Sequence, residues 1–220
     1  MRSRRKGTSH MLTPKVELLL ITPDAEKLIE AAGRTSYLSF PKQKESSEKT
    51  FIRMLIKNGH LSVLEHAHAT FRISGVSRAF THQLVRHRLC SFIQQSQRYV
   101  DESNFNYIEP DSVRNNPEAH SLFIDFMDRA KEVYSKLQKL KIKKEDSRYV
   151  LPNAVESQIV MTANFREWRH IIGLRGKPQS QWEIRKVAIE VLKILRNHAP
   201  TVFGDFEIDE QKEMITEIEI

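Results

Sequence analysis

Apolar positions along this chain switch between two spacings. Over residues 15–22 they run almost unbroken and read as a strand that Pro23 ends. Ala25, Leu28, Ile29 and Ala32 then share a helical face that closes near Gly33. A loop over 37–46 leads to a second helix, capped by Ser46 or Ser47, carrying Phe51, Met54 and Leu55 and ending at Asn58-Gly59. From 67 to 74 the period becomes two. Ala67, Ala69, Phe71 and Ile73 alternate with His68, Thr70 and Arg72, the pattern of a half-buried strand, broken by Gly75. Residues 76–89 predict a helix with Val76, Phe80 and Leu84 on one side, 91–100 predict extended chain, and 101–116 a loop. The strongest amphipathic helix spans 117–141, where Leu122, Phe126, Ala130, Val133, Leu137 and Leu140 recur at threes and fours; it reads as a core or subunit-packing helix. A short helix stopped by Pro152, a strand over 157–164, a helical turn over 165–173 and a second long helix over 179–198 complete the pattern. Pro200 ends that helix, and the acidic tail after Phe206 reads as peripheral.

There is no internal repeat and no composition shift, so 13–220 reads as one domain behind a mobile basic leader over 1–12. The longest aliphatic run, 16–21, contains Glu17 and is far too short to cross a bilayer. One cysteine, Cys90, excludes an internal disulfide framework and fits a reducing compartment, so a cytoplasmic protein is expected. The net charge of +7 points to anionic partners. None of the seven glycines forms a dinucleotide fingerprint or a phosphate-binding loop, so any phosphate must be held by side chains.

Arginine is concentrated where those side chains would have to be. Arg72, Arg78, Arg86, Arg88 and Arg98 fall in a window with no acid between Arg72 and Asp101. Unpaired buried charge is costly, and a guanidinium fork matches phosphate or carboxylate, so these residues face an anion or solvent. Ser91, Gln94, Ser96 and Gln97 add neutral donors and acceptors. On a helix Gln83 and Arg86 stand three apart and can reach one ligand, whereas Arg86, His87 and Arg88 cannot share a face. The residues alone leave other readings open. The basic window could bind nucleic acid, although it lacks interleaved stacking aromatics. His66 and His68 have the spacing of strand metal ligands, but no third and fourth ligand accompanies them, so no metal is expected. Cys90 could be a nucleophile, but reads more simply as a small buried apolar residue.

Arg86-His87-Arg88, Ser91, Ser96 and Arg98 fit RHRxxSxxxxSxR, and in this the chain resembles the flavin-dependent thymidylate synthases. The likeness extends to the segment 60–66, to Gln83, to Arg148 with Leu151-Pro152, to Asn164 and Arg166 with Leu174-Arg175, and to 181–185. It implies an α+β protomer of the thymidylate synthase-complementing protein fold, an antiparallel or mixed sheet with long flanking helices. It implies reductive methylation of dUMP to dTMP, with methylenetetrahydrofolate as one-carbon donor and FADH2, regenerated by NADPH, as hydride source. By position, Gln83, Arg86, Gln94, Gln95, Ser96, Gln97, Arg98, Arg148 and Arg175 would bind dUMP. Ser96, Arg98 and Arg148 would hold the phosphate, and Arg175 would face the uracil. Ser62, Arg86, His87, Arg88, Gln94, Asn164, Arg166 and His170 would contact FAD, with His60 near flavin and folate; Arg175 and His60 are the catalytic candidates. The resemblance further implies a homotetramer with active sites where subunits meet, and neither nucleic acid nor membrane as partner.

Overall fold

A computed structural model describes residues 13–218; the basic leader over 1–12 lies outside them. In chain order the elements are β1 (Lys15–Ile21), α1 (Ala25–Thr35), α2 (Ser47–Lys57), β2 (His68–Ser77), α3 (Arg78–Leu84), β3 (Ser91–Gln94), α4 (Asp111–Arg114), α5 (Pro117–Lys139), α6 (Lys144–Ser147), β4 (Glu156–Asn164), α7 (Phe165–Arg175), α8 (Trp182–His198), α9 (Pro200–Phe203), β5 (Phe206–Asp209) and β6 (Met214–Glu217). A four-stranded sheet has the order β1-β2-β4-β3, and β5 and β6 form a separate hairpin. The β1–β2, β3–β4 and β5–β6 pairs are antiparallel. Mixed helices and antiparallel strands agree with the α+β expectation at that level. No helix among the described residues is long and apolar enough to cross a membrane.

The chain divides into two compact units, neither continuous in sequence, which is why no linker composition marks a boundary. The larger is built on Pro14–Ser74, Phe80–Gln94 and the chain from Gln158 onward. Its core follows from the alternation in β2: Ala67, Ala69, Phe71 and Ile73 are buried, and Ile159, Met161 and Ala163 of β4 join them. Helix α7 lies on this face. Trp168 donates its Nε1–H to the Ala69 carbonyl at 3.1 Å and packs edge-on to Phe71. Ile184, Val187, Val191, Leu192 and Leu195 of α8 are buried beside it.

The smaller unit comprises Thr13, Gly75–Ala79 and Gln95–Ser157 among the described residues. Its core gathers Phe105, Met127, Ala130 and Val155, with Tyr107 and Phe123 packed against them.

Several sequence expectations are corrected. Gly75 does not end β2; at φ +67 it adopts a left-handed conformation that glycine tolerates, and the strand continues to Ser77. Helix α3 stops at Leu84, not 89, and Arg86 and His87 follow in a turn closed on the Gln83 and Leu84 carbonyls. Extended chain ends at Gln94. Helix α5 carries two apolar stripes about 100° apart, one residue out of phase. The core takes Phe123, Met127, Ala130 and Tyr134, while Leu122 and Phe126 are exposed at 66% and 57%. The tail after Phe206 is the β5–β6 hairpin, with Phe206 and Ile215 buried.

Candidate functional site

In the larger unit the predicted residues converge around α7. Asn164 caps this helix, its Oδ1 accepting the Glu167 backbone N–H at 2.8 Å. That fixes the first turn and sets Arg166, Glu167 and His170 along one side, with Arg175 at the far end. The side opens on a cleft of about 860 Å³ lined by Asn164, Arg166, His170 and Lys177, with apolar Leu61 and Leu174. Such a volume, with convergent polar groups on apolar walls, suits a sizeable ligand. Arg166 pairs with Glu65 at 2.6 Å, both about half exposed.

Arg175 stands at the centre of the second group. Its Nε–H donates to His87 Nε2 at 3.0 Å, and one terminal nitrogen reaches the Gln83 carbonyl at 3.4 Å. Among the described residues no carboxylate pairs with Arg175. Burial, and then the Arg86 charge, push its pKa below the ordinary arginine value. Two neighbouring guanidinium groups without an acid form an anion-seeking pair, because an anion relieves their mutual repulsion. His87 is buried and neutral: burial first, then Arg175, His170 and Arg86, lower its pKa to about 4. Arg86 and Arg88 are exposed, without acidic partners among the described residues. Gln94 donates to Thr81 Oγ1 at 2.7 Å.

Exposed His60 precedes the 3-10 turn Leu61–His66, which contains exposed Ser62 and buried Leu64. Neither His60 nor Ser62 lines the cleft, and nor do Arg86, His87, Arg88 or Gln94.

The rest of the dUMP group lies in the smaller unit. Gln95 donates to Glu102 at 3.0 Å, and Ser96 Oγ accepts the Arg98 backbone N–H at 3.3 Å. Arg98 pairs with the Glu145 carboxylate at 2.6 Å, while Arg148 Nε donates to the Glu145 carbonyl at 3.0 Å. Arg98 and Arg148 therefore meet on one residue, and a phosphate could take the place of the Glu145 carboxylate on Arg98. Gln97 is half-buried.

His66 and His68 fall in no group of three metal-ligating side chains among the described residues. The three-residue grouping found among the described residues is His87, Glu167 and His170. Because Arg175 donates to Nε2 and the ring is neutral, the proton of His87 is on Nδ1, the atom facing Glu167 Oε1 at 3.4 Å. Burial and the nearby Glu167 push the Cys90 thiol up to about 12, which disfavours the thiolate that a nucleophile needs.

Sequence reasoning missed Glu167, Arg169, Lys177 and Glu217 as cleft residues. Glu167 had a signal, but one that points elsewhere: an acid three residues after Asn164 reads as part of a helix start.

A family model described as "Thymidylate synthase complementing protein" matches residues 17–201. The chain is 43% identical over 202 residues to a protein of Corynebacterium efficiens named flavin-dependent thymidylate synthase, covering 84% of this chain and 81% of that one. Proteins of the same name from Geobacter sulfurreducens and Mycobacteroides abscessus are 42% and 38% identical, over 87% and 91% of this chain and 86% and 87% of theirs. This match over most of the sequence means that the chain belongs to the flavin-dependent thymidylate synthase family.

Proposed function

We propose that this protein methylates dUMP to dTMP reductively, taking the one-carbon unit from methylenetetrahydrofolate and the hydride from FADH2 that NADPH regenerates. One observation carries the reading. In a single unit, Asn164, Arg166 and His170, expected at FAD, line one cleft, while Gln83, Arg86 and Arg175, expected at dUMP, meet nearby, with His87 bonded to Arg175.

The donors suit a flavin nucleotide. Lys177 is a cation for its phosphates, as is Arg166 where a phosphate replaces its Glu65 partner, Leu61 and Leu174 are apolar surfaces for its rings, and the Asn164 amide N–H remains a donor. Bound reduced flavin would supply the hydride. The side chains supply orientation and electrostatics. Arg175 is held by His87 and Gln83 before any ligand arrives, so its charge needs no reorganisation to meet negative charge developing on the uracil. Arg98 and Arg148, already together at Glu145, hold the nucleotide phosphate with the Ser96 hydroxyl. A homotetramer, with sites completed where subunits meet, belongs to the same proposal; the exposed Leu122 and Phe126 of α5 support it.

Ser96→Ala separates the two pockets. Removing one hydrogen bond to a charged phosphate should weaken dUMP binding about tenfold. Flavin content should be unchanged. Equilibrium dUMP binding and the absorbance ratio of flavin to protein measure both, and loss of flavin with intact dUMP affinity would reverse the assignment of Ser96.

A further inference from the structure

Glu167 lines the cleft but was not among the residues expected at dUMP or FAD, and its surroundings are unusually specific. It is buried, 6% exposed, in the first turn of α7, and its backbone is fixed by Asn164. Its Oε1 faces His87 Nδ1 at 3.4 Å and accepts from the Cys90 thiol at 4.0 Å. On its other edge His87 accepts the Arg175 Nε–H at 3.0 Å. The three side chains form a line of carboxylate, imidazole and guanidinium, joined across a sequence separation of 88 residues between Arg175 and His87.

We propose that Glu167 is a positioning residue: with its carboxyl oxygen 3.4 Å from Nδ1 of His87 it favours the proton on that nitrogen, and so the imidazole tautomer whose Nε2 lone pair holds Arg175 against the substrate. The logic is directional. An imidazole presents a lone pair at Nε2 only while Nδ1 keeps the proton, and an acceptor at Nδ1 favours that form. Without Glu167 the proton can move to Nε2, which then turns an N–H toward the Arg175 N–H. Two donors repel, and Arg175 leaves its place. Neutrality of His87 is part of the device, since a protonated ring would have no lone pair for Arg175.

This inference rests on the reading of Arg175 as the uracil-facing cation, and a double-mutant cycle separates the two. Glu167→Leu fills similar space without an acceptor. It should lower kcat about tenfold, the worth of one well-placed hydrogen bond, with KM for dUMP moving less than about twofold. Glu167→Gln keeps an acceptor oxygen and should retain most of the turnover. In an Arg175→Ala background nothing is left to position, so Glu167→Leu should add no further loss. Normal turnover in Glu167→Leu, a loss in Glu167→Gln equal to that in Glu167→Leu, or full additivity in the double variant would each overturn the proposal. Normal turnover in Arg175→Ala alone would instead overturn the reading beneath it. Histidine ring ¹⁵N spectra give a readout that a merely structural role would not move: His87 should be the Nδ1–H tautomer in the parent protein and in Glu167→Gln, and mixed in Glu167→Leu.

Discussion

Arg175→Ala is expected to reduce dTMP formation by roughly two to three orders of magnitude, the range for removing one preorganised group aimed at developing charge. The size follows from the setting. Arg175 is half-buried, has no carboxylate partner among the described residues and sits beside the like charge of Arg86. A cation held this way contributes little to folding, because its desolvation and repulsion are not offset within the protein. Its removal should therefore leave the melting temperature within a few degrees or raise it slightly. The loss should appear in kcat, because the charge it answers develops in the reaction and is weak in bound dUMP. Steady-state kinetics with thermal unfolding on the same samples checks both halves. A destabilised variant with normal turnover would make Arg175 a structural residue.

Asp205→Ala should do the opposite, damaging the fold first. Arg169 is 6% exposed and Asp205 4%. Both carboxylate oxygens are engaged, Arg169 Nη1 donating to Oδ1 at 2.6 Å and Nη2 to Oδ2 at 2.5 Å. Arg169 also donates to the Val202 carbonyl and to Glu217 Oε1, and it stacks over Phe206. One guanidinium thus ties α7 to the loop after α9 and to both strands of the hairpin. Deleting Asp205 leaves a buried cation whose remaining acid, Glu217, is 56% exposed. Breaking such a pair costs about 3 kcal/mol or more. For a chain of this size that lowers the melting temperature by roughly 6–12 °C. Arg169 and Glu217 both line the cleft, so flavin retention should fall as well. Thermal unfolding of Asp205→Ala beside Asp205→Asn measures it, and an unchanged melting temperature would remove the pair as the anchor of the hairpin.

What the chain disclosed in advance depended on the range of the interaction. The alternation over 67–73 was legible because a strand face is a local fact, and that face is buried as read. The arginine window was legible as charge without local partners because the acids that pair with it come from elsewhere: Glu17 reaches Arg72 and Glu145 reaches Arg98. Arg86 and Arg175 have no acidic partner among the described residues. Less was legible where two local signals compete. In α5 two apolar stripes offered themselves and packing chose the one carrying Met127 and Tyr134. Residues 206–217 read as a polar tail because strands of four residues give almost no periodic signal, and what anchors them is Arg169, far back in the chain. Glu167 was hidden by its own helix, since an acid in a first turn has a sufficient local explanation and its partners His87 and Cys90 lie far away in sequence.

The central claim is that one site holds both a flavin and dUMP. The most direct test is the visible absorption spectrum of the purified protein, recorded anaerobically before and after NADPH and then with dUMP. A bound oxidised flavin spectrum that bleaches on NADPH, and bleaches faster with dUMP present, is the result this account predicts. A colourless protein that takes up no added FAD would contradict it, and binding of nucleic acid to the arginine window would then be the reading to pursue.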